Sequence, residues 1–404
     1  MTIEIRGIDD EEHDAFSLPV HRGFLATRVE EHPEPDWDVA RSIAAVDDGE
    51  FVGGCGAYDF QLTLPGGSEV PVGGLTGVAV QTTHRRRGLL HRLMEAHLDD
   101  CRERGEAASV LMASESSIYG RFGYGVATLT AGWRIGASGG RFGREADTGG
   151  SFRFLLQEDA ADTLAAIYPQ AMAGRSGALN RPGDWYEGIL ARKAGWMGGG
   201  DLFVVVHNGP DGVDDGYVLY RVDTSGPPGG ELGSVDIVEL IAGDPVVEAA
   251  LWRFCLDIDL VEEVRYLWGP TDPAVAAWLA APRHLETTRL QDYLWLRPLD
   301  VTALLGRRTY RADGRIVLGV DDPDDRRVDG NWSVEVSAGV AQTERTDDSP
   351  DVTLSAASLG SVCLGGQSIE ALARTGVVSG HPPAVTRADL MMGTARPPWC
   401  ITKF

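Results

Sequence analysis

At Val80 the apolar period of this chain changes from two to 3.6, and the junction carries three arginines and a glycine. The stretch GVAVQTTHRRRGLLHRLMEAHLDDC, residues 77–101, reads as a strand, a basic turn and a long helix. Leu90, Leu93, Met94, His97, Leu98 and Cys101 recur at spacings of three and four, the stripe of an amphipathic helix predicted over 86–104.

Upstream, a strand over 2–6 leads to a helix capped near Asp9 or Asp10. A β run follows at Ser42 to Val46, then the turn Asp47-Asp48-Gly49, a long run from Phe51 to Leu64, the turn Pro65-Gly66-Gly67 and a strand into Val80, an antiparallel meander. Downstream, Ser109 to Met112 reads as a buried strand, Glu115 to Arg121 as a short helix and Gly125 to Ile135 as a closing strand. A chain of 404 residues divides into two or three domains of about 100 to 200 residues each. The glycine-rich segment 136–150 marks a boundary. The predicted domains are 1–146, 147–298 and 299–404, the second α/β and the third α+β.

The turn carries the chemistry. Cations on the first turn of a helix oppose the macrodipole at roughly 0.3 to 1 kcal/mol each, so Arg85, Arg86 and Arg87 call for a bound anion. The leading N–H groups of the helix lack intrahelical partners, and Gly88 lets a ligand approach the backbone. Together they form a pyrophosphate cradle. Neither the GK[ST] ending of a Walker loop nor a G-x-G-x-x-G fingerprint is present. A solvated basic patch is the competing reading of the arginines alone.

A formal charge of −24 argues against a nucleic-acid binder and fits a protein that handles cationic ligands. The five cysteines lie far apart, which argues against zinc or a disulfide framework and suits a reducing cytoplasm. His91 and His97 do not stand at metal-ligand spacing, and no metal is expected. The N-terminus is acidic and no apolar run reaches the roughly 20 residues of a membrane span, so neither export nor a membrane is expected.

Val78-Ala79-Val80 followed by Arg85-Arg86-Arg87-Gly88-Leu89 resembles motif A of the GCN5-related N-acetyltransferases (GNAT). Ile118-Tyr119-Gly120-Arg121-Phe122-Gly123-Tyr124-Gly125 resembles their tyrosine-bearing motif B. THRRRGLL with ASESSIYGRFGYG is similar to the Eis ("enhanced intracellular survival") branch, and DYLWLRPLDV at 292–301 extends the likeness toward the C-terminus. The resemblance implies a GNAT fold in the first domain, a degenerate GNAT-like second domain, a sterol-carrier-protein-like third domain and a homohexamer.

It also implies acetyl-CoA as cosubstrate. Backbone amides of Val78 and Val80 would hold the pantetheine and thioester beside a strand bulge, with Ser114 nearby, and Arg85 to Leu89 would bind the pyrophosphate. Tyr119 would protonate the departing thiolate, and the terminal carboxylate of Phe404 would act as base. The physics agrees: a fixed N–H at a developing oxyanion is worth roughly 3 kcal/mol in other acyl-transfer sites. A positioned acid adds roughly 100-fold.

The turn at Asp244-Pro245 in the second domain repels phosphate and removes a donor, so one active site per chain is expected. For the substrate, a polyamine or an aminoglycoside-like amine, the resemblance implies Phe24 and Trp37 as walls, beside Glu30, Glu31, Glu34, Asp36 and Asp38. Ala26 and Lys403 stand where the resembling proteins carry acidic residues, and a lysine beside the base repels a cationic amine. The alternatives are an acyl-CoA- or lipid-binding module without turnover, and an acyltransferase for protein lysines or longer chains.

Overall fold

The computed structural model describes residues 3–24, 37–147, 149–191, 200–223 and 233–404. Strands and helices, in chain order, begin with β1 (Glu4–Gly7), α1 (His13–Gly23), β2 (Ile43–Asp47), β3 (Glu50–Thr63), β4 (Glu69–Val80), α2 (Leu89–Glu103), β5 (Ala108–Met112), α3 (Ser116–Tyr119) and β6 (Gly125–Val126). Then come β7 (Leu129–Gly136), β8 (Ser151–Leu155), α4 (Ala161–Met172), α5 (Trp185–Ala191), β9 (Leu202–Asn208), β10 (Asp214–Asp223), β11 (Gly233–Ala242), α6 (Pro245–Leu256), β12 (Val261–Gly269), β13 (Leu285–Asp292) and β14 (Leu294–Pro298). The remainder is α7 (Val301–Gly306), β15 (Gly314–Asp321), β16 (Gly330–Ser337), β17 (Val340–Arg345), β18 (Val352–Ser355), α8 (Ala356–Val362), α9 (Ile369–Arg374), β19 (Ser379–Gly380) and α10 (Pro382–Met392).

These elements form two compact units, Met1–Thr128 with Asp292–Pro398 and Lys403–Phe404, and Leu129–Gln291 with Trp399–Thr402. The first unit contains a seven-stranded sheet in the order β1-β2-β3-β4-β5-β14-β6 and a five-stranded sheet, β17-β16-β15-β18-β19. The second contains a seven-stranded sheet, β13-β7-β12-β11-β10-β9-β8.

The meander forms as its turn residues dictate. Asp48 and Gly49 both have positive φ (53° and 88°), as a two-residue hairpin turn requires. At the next turn, Gly67 donates to the Leu64 carbonyl (2.9 Å). The α2 stripe packs as its period demands: Leu89, Leu93, Met94, His97, Leu98 and Cys101 are buried. Fully burying each leucine there contributes roughly 1.5 to 3 kcal/mol.

Two segments depart from the sequence reading. The single closing strand expected over 125–135 is divided, Gly125–Val126 joining the first sheet and Leu129–Gly136 the second. The strand expected over 289–297 is likewise divided, so that Leu294–Pro298 enters the first sheet between β5 and β6. The cause is the register of distant pairings: Leu294 faces Met112 and Trp295 faces Val126, while Trp133 faces Tyr266. Among the described residues, no helix is long and apolar enough to cross a membrane.

Candidate active site

Strand β4 pairs with β3 antiparallel and with β5 parallel, the latter register ending at Leu75 and Leu111. Its pairing with β3 jumps from Gly56↔Thr76 to Gly54↔Ala79, so Gly77 and Val78 stand opposite Cys55 alone. This is a β-bulge, with Gly77 at φ 62° supplying the left-handed residue. Beyond it, Val78 to Val80 form a strand edge that β5 does not cover, and their polar backbone can face a ligand.

The chain then turns into α2. Gly88 is the N-cap, at φ 76° and with no side-chain cap, and a Cβ there would meet nothing within 4 Å. The helix therefore begins at Leu89, and the three arginines precede it instead of sitting on its first turn, as the sequence pattern had suggested. The left-handed Gly88 and a left-handed Arg86 (φ 65°) block the helix from extending upstream. The arginines stand in the turn just ahead of the open N–H end of the helix, not within its first turn.

The arginines have different neighbours. Arg85 Nε donates to the Val80 carbonyl at 3.3 Å, which holds it along β4. Arg87 leans 3.7 Å from Asp47, whose carboxylate also lies 3.2 Å from His84. Arg86 is exposed and has no ion-pair partner among the described residues.

A cleft of about 810 Å³ gathers Phe24, Val78, Val80, Arg85, Arg86, Gly88, Leu89, Ser114 and Tyr119. Leu89 contributes backbone, since its side chain is buried in the core. Arg87, Trp37 and Phe404 are not part of this lining. His84, His91, Arg121 and Phe122, which sequence reasoning did not select, are. His84 and Arg121 sit inside the two quoted motifs, so the signal for them was proximity alone.

Tyr119 closes α3 and is 9% exposed, its ring 6.0 Å from that of Tyr124 in an edge contact. Burial, with smaller contributions from Cys55 and Glu115, pushes its phenol up to about 12. The group keeps its proton throughout the neutral range. Behind it, the Tyr124 hydroxyl donates to Ser109 Oγ (2.7 Å), which lies 2.7 Å from His97 Nε2. Burial, then Arg41, holds His97 down to about 3, so its ring is neutral. Arg41, whose side chain is fully buried, engages Asp59 (2.5 Å), Asp100 (3.0 Å) and Glu106 (2.6 Å). That hub had no signature in the sequence.

Trp37 lies on the bulge. A Cβ at Gly56 would stand 2.1 Å from its indole nitrogen, and that nitrogen donates to Ser42 Oγ at 2.8 Å. Tyr58 meets Trp37 edge-on at 6.3 Å and Phe404 at 6.0 Å, and the Phe60 ring is 5.0 Å from Phe404. The C-terminal residue is thus seated in an aromatic row on the β3–β4 hairpin. Residues 399–402 are buried within the second unit, where Trp399 donates its N–H to the Ser176 carbonyl (2.8 Å) and the Thr402 hydroxyl lies 3.0 Å from that of Tyr168. Phe24, at the end of α1, is 52% exposed. Ala26, Glu30, Glu31, Glu34 and Asp36 lie outside the described residues.

The family descriptions "Acetyltransferase (GNAT) domain" match residues 4–127 and 177–298, and "Sterol carrier protein domain" matches residues 301–401. An uncharacterized N-acetyltransferase of Streptomyces coelicolor is 35% identical, over 99% of each chain. N-acetyltransferase Eis of Mycobacterium tuberculosis is 33% identical over 80% of this chain and 78% of its own. The crystal structure of Eis1 from Mycobacterium abscessus matches with a TM-score of 0.89 at 32% identity, covering 100% of both chains.

Proposed function

The chain belongs to the Eis family of GNAT acetyltransferases, and from that premise we propose that it transfers an acetyl group from acetyl-CoA directly to the amine of a cationic small molecule. The observation that carries this reading is the cleft itself, which brings the bulged edge of β4, the uncapped N-terminus of α2 and a protonated tyrosine together.

The residues fit an acyl-CoA. The open N–H groups at Gly88 and Leu89, with Arg85 and Arg86 beside them, suit a pyrophosphate, and the absence of any atom near a Cβ at Gly88 leaves room for it. The backbone of Val78 and Val80 holds the pantetheine arm as an added strand would be held, and Ser114 lies on the same cleft wall. The bulge frees the Val78 N–H from regular pairing, so it donates to the thioester oxygen as that oxygen gains charge.

A neutral amine attacks the carbonyl carbon, the C–S bond breaks, and the Tyr119 hydroxyl gives its proton to the departing sulfur. A phenol held near 12 does not surrender its proton beforehand, and a thiolate released into the same apolar pocket is itself a strengthened base. The carboxylate of Phe404 accepts the proton that the amine loses. Its ring, fixed by Tyr58 and Phe60, holds the tail against β3 and β4.

Phe24 and Trp37 supply aromatic surface for a cationic amine, and the chain's charge of −24 favours its approach. Lys403 beside the base selects against the most highly charged amines, which points to substrates with few cationic groups. The test is thiol release from acetyl-CoA with a panel of mono-, di- and polyamines, alongside calorimetry with CoA. Release that falls as substrate charge rises supports the reading; CoA binding with no turnover across the panel overturns it.

A further inference from the structure

Arg121 is a cleft residue that the reaction described above does not use. It follows α3 in a short 3-10 turn, Gly120–Phe122, and is exposed. Its Nε donates to the Ile118 carbonyl at 2.9 Å, and its guanidinium carbon lies 5.7 Å from the Phe122 ring centroid. These two contacts fix the plane of the group and leave both terminal nitrogens unengaged by any described residue. Phe122 is buried, and its ring lies 5.9 Å from that of His91 on the first turn of α2. Arg121 is therefore braced against the same helix end that carries Gly88.

An acyl-CoA has three phosphate groups. Two form the pyrophosphate, which Arg85, Arg86 and the α2 N-terminus accommodate. The third is a monoester on the ribose 3′ oxygen, nearly dianionic at neutral pH, and it requires its own donor. A guanidinium held flat, with both terminal NH2 groups free, matches such a monoester in charge and geometry. We infer that Arg121 recognises the 3′-phosphate of the acyl-CoA and is a specificity determinant for the cosubstrate. This rests on the acyl-CoA reading of the cleft and deepens it.

The experiment compares acetyl-CoA with acetyl-3′-dephospho-CoA on the full chain, in the wild type, Arg121→Gln and Arg121→Lys. The wild type is expected to show a KM about tenfold lower for acetyl-CoA, the magnitude of one charge-assisted contact. Arg121→Gln is expected to raise the KM for acetyl-CoA to that of the dephospho compound while leaving the latter unchanged. Arg121→Lys should retain part of the preference, since it keeps the charge and loses the fork. The inference is overturned if the wild type treats both cosubstrates alike, if Arg121→Gln raises both KM values equally, or if it changes neither. An unchanged KM for the dephospho compound also certifies that the variant is folded. If the wild type uses neither compound and calorimetry detects no CoA, the acyl-CoA reading itself falls, an outcome distinct from the loss of discrimination alone.

Discussion

The two acetyltransferase domains contain the same local construction and finish it differently. In the first, β3 and β4 are bulged at Gly77–Val78 and β4 runs into α2 through Gly88. In the second, β10 and β11 are bulged as well, the register passing from Leu219↔Glu239 to Tyr220↔Ile237, and β11 runs into α6. There, however, the N-cap is Asp244, whose side chain accepts the Val246 N–H at 2.6 Å, and Pro245 has no donor. The helix end is already satisfied from within the chain, and its charge is negative. Beside that bulge, Glu239 pairs with Arg181 at 2.6 Å and accepts from the Tyr217 hydroxyl. On the proposed reading, what separates a CoA cradle from a purely structural strand–helix junction is whether the backbone donors between them are left unspent.

The largest expected effect comes from spending them. Gly88→Val places a branched residue at φ 76° and a side chain where phosphate would lie, so CoA affinity should fall about 100-fold or more in calorimetry. Because α6 in the second domain spends its Val246 N–H on Asp244 and has Pro245 at its start, binding in the wild type should saturate at one CoA per chain. A second, surviving equivalent in Gly88→Val would break the comparison.

Next in size is the chemical step. Tyr119→Phe should lower kcat about 100-fold with little change in CoA affinity, read by single-turnover thiol release. Its counterpart in the second domain is structural: Glu239→Gln leaves Arg181 buried without its charge partner. That should cost about 3 to 5 kcal/mol in denaturant unfolding while leaving CoA stoichiometry intact. Lost CoA binding in that variant would show that the second domain contributes to the site.

A smaller effect is expected at Arg86. Arg86→Gly relieves the left-handed strain and removes a cation, so the melting temperature should rise slightly as CoA affinity falls about tenfold. A parallel fall in both would mean that Arg86 serves the fold.

The smallest concerns pH. Burial raises the Tyr119 phenol from an ordinary value near 10 to about 12, so its neutral form is favoured in the folded state. The resulting stabilisation is complete below about pH 10 and is lost as pH climbs toward 12. The rate should accordingly show no descending limb from this group up to pH 10. A limb centred near 10 would indicate an acid exposed to water.

Local chemistry wrote itself into the residues. The change of period at Val80, the α2 stripe, the turns at Asp48-Gly49 and Gly66-Gly67, and the two motifs were legible because each depends on neighbours within a few positions. So was the contrast between Gly88 and Asp244-Pro245, since a helix end is capped by its own adjacent residues. The exact helix start was not, because the left-handed conformation of Arg86 is not a property of arginine.

Tertiary structure alone decided the rest. No periodicity could announce that 125–135 and 289–297 each divide between two sheets, since Leu296 must find Val110 and Gly125 across well over a third of the chain. Nor could it place the Phe404 ring on Tyr58 and Phe60, bury Arg41 among three carboxylates, or set the Phe122 ring beside His91. Sequence fixes which groups are available and how each short segment bends. Which distant groups meet depends on the register of strands far apart along the chain, and that is set only when the sheets close and their cores pack.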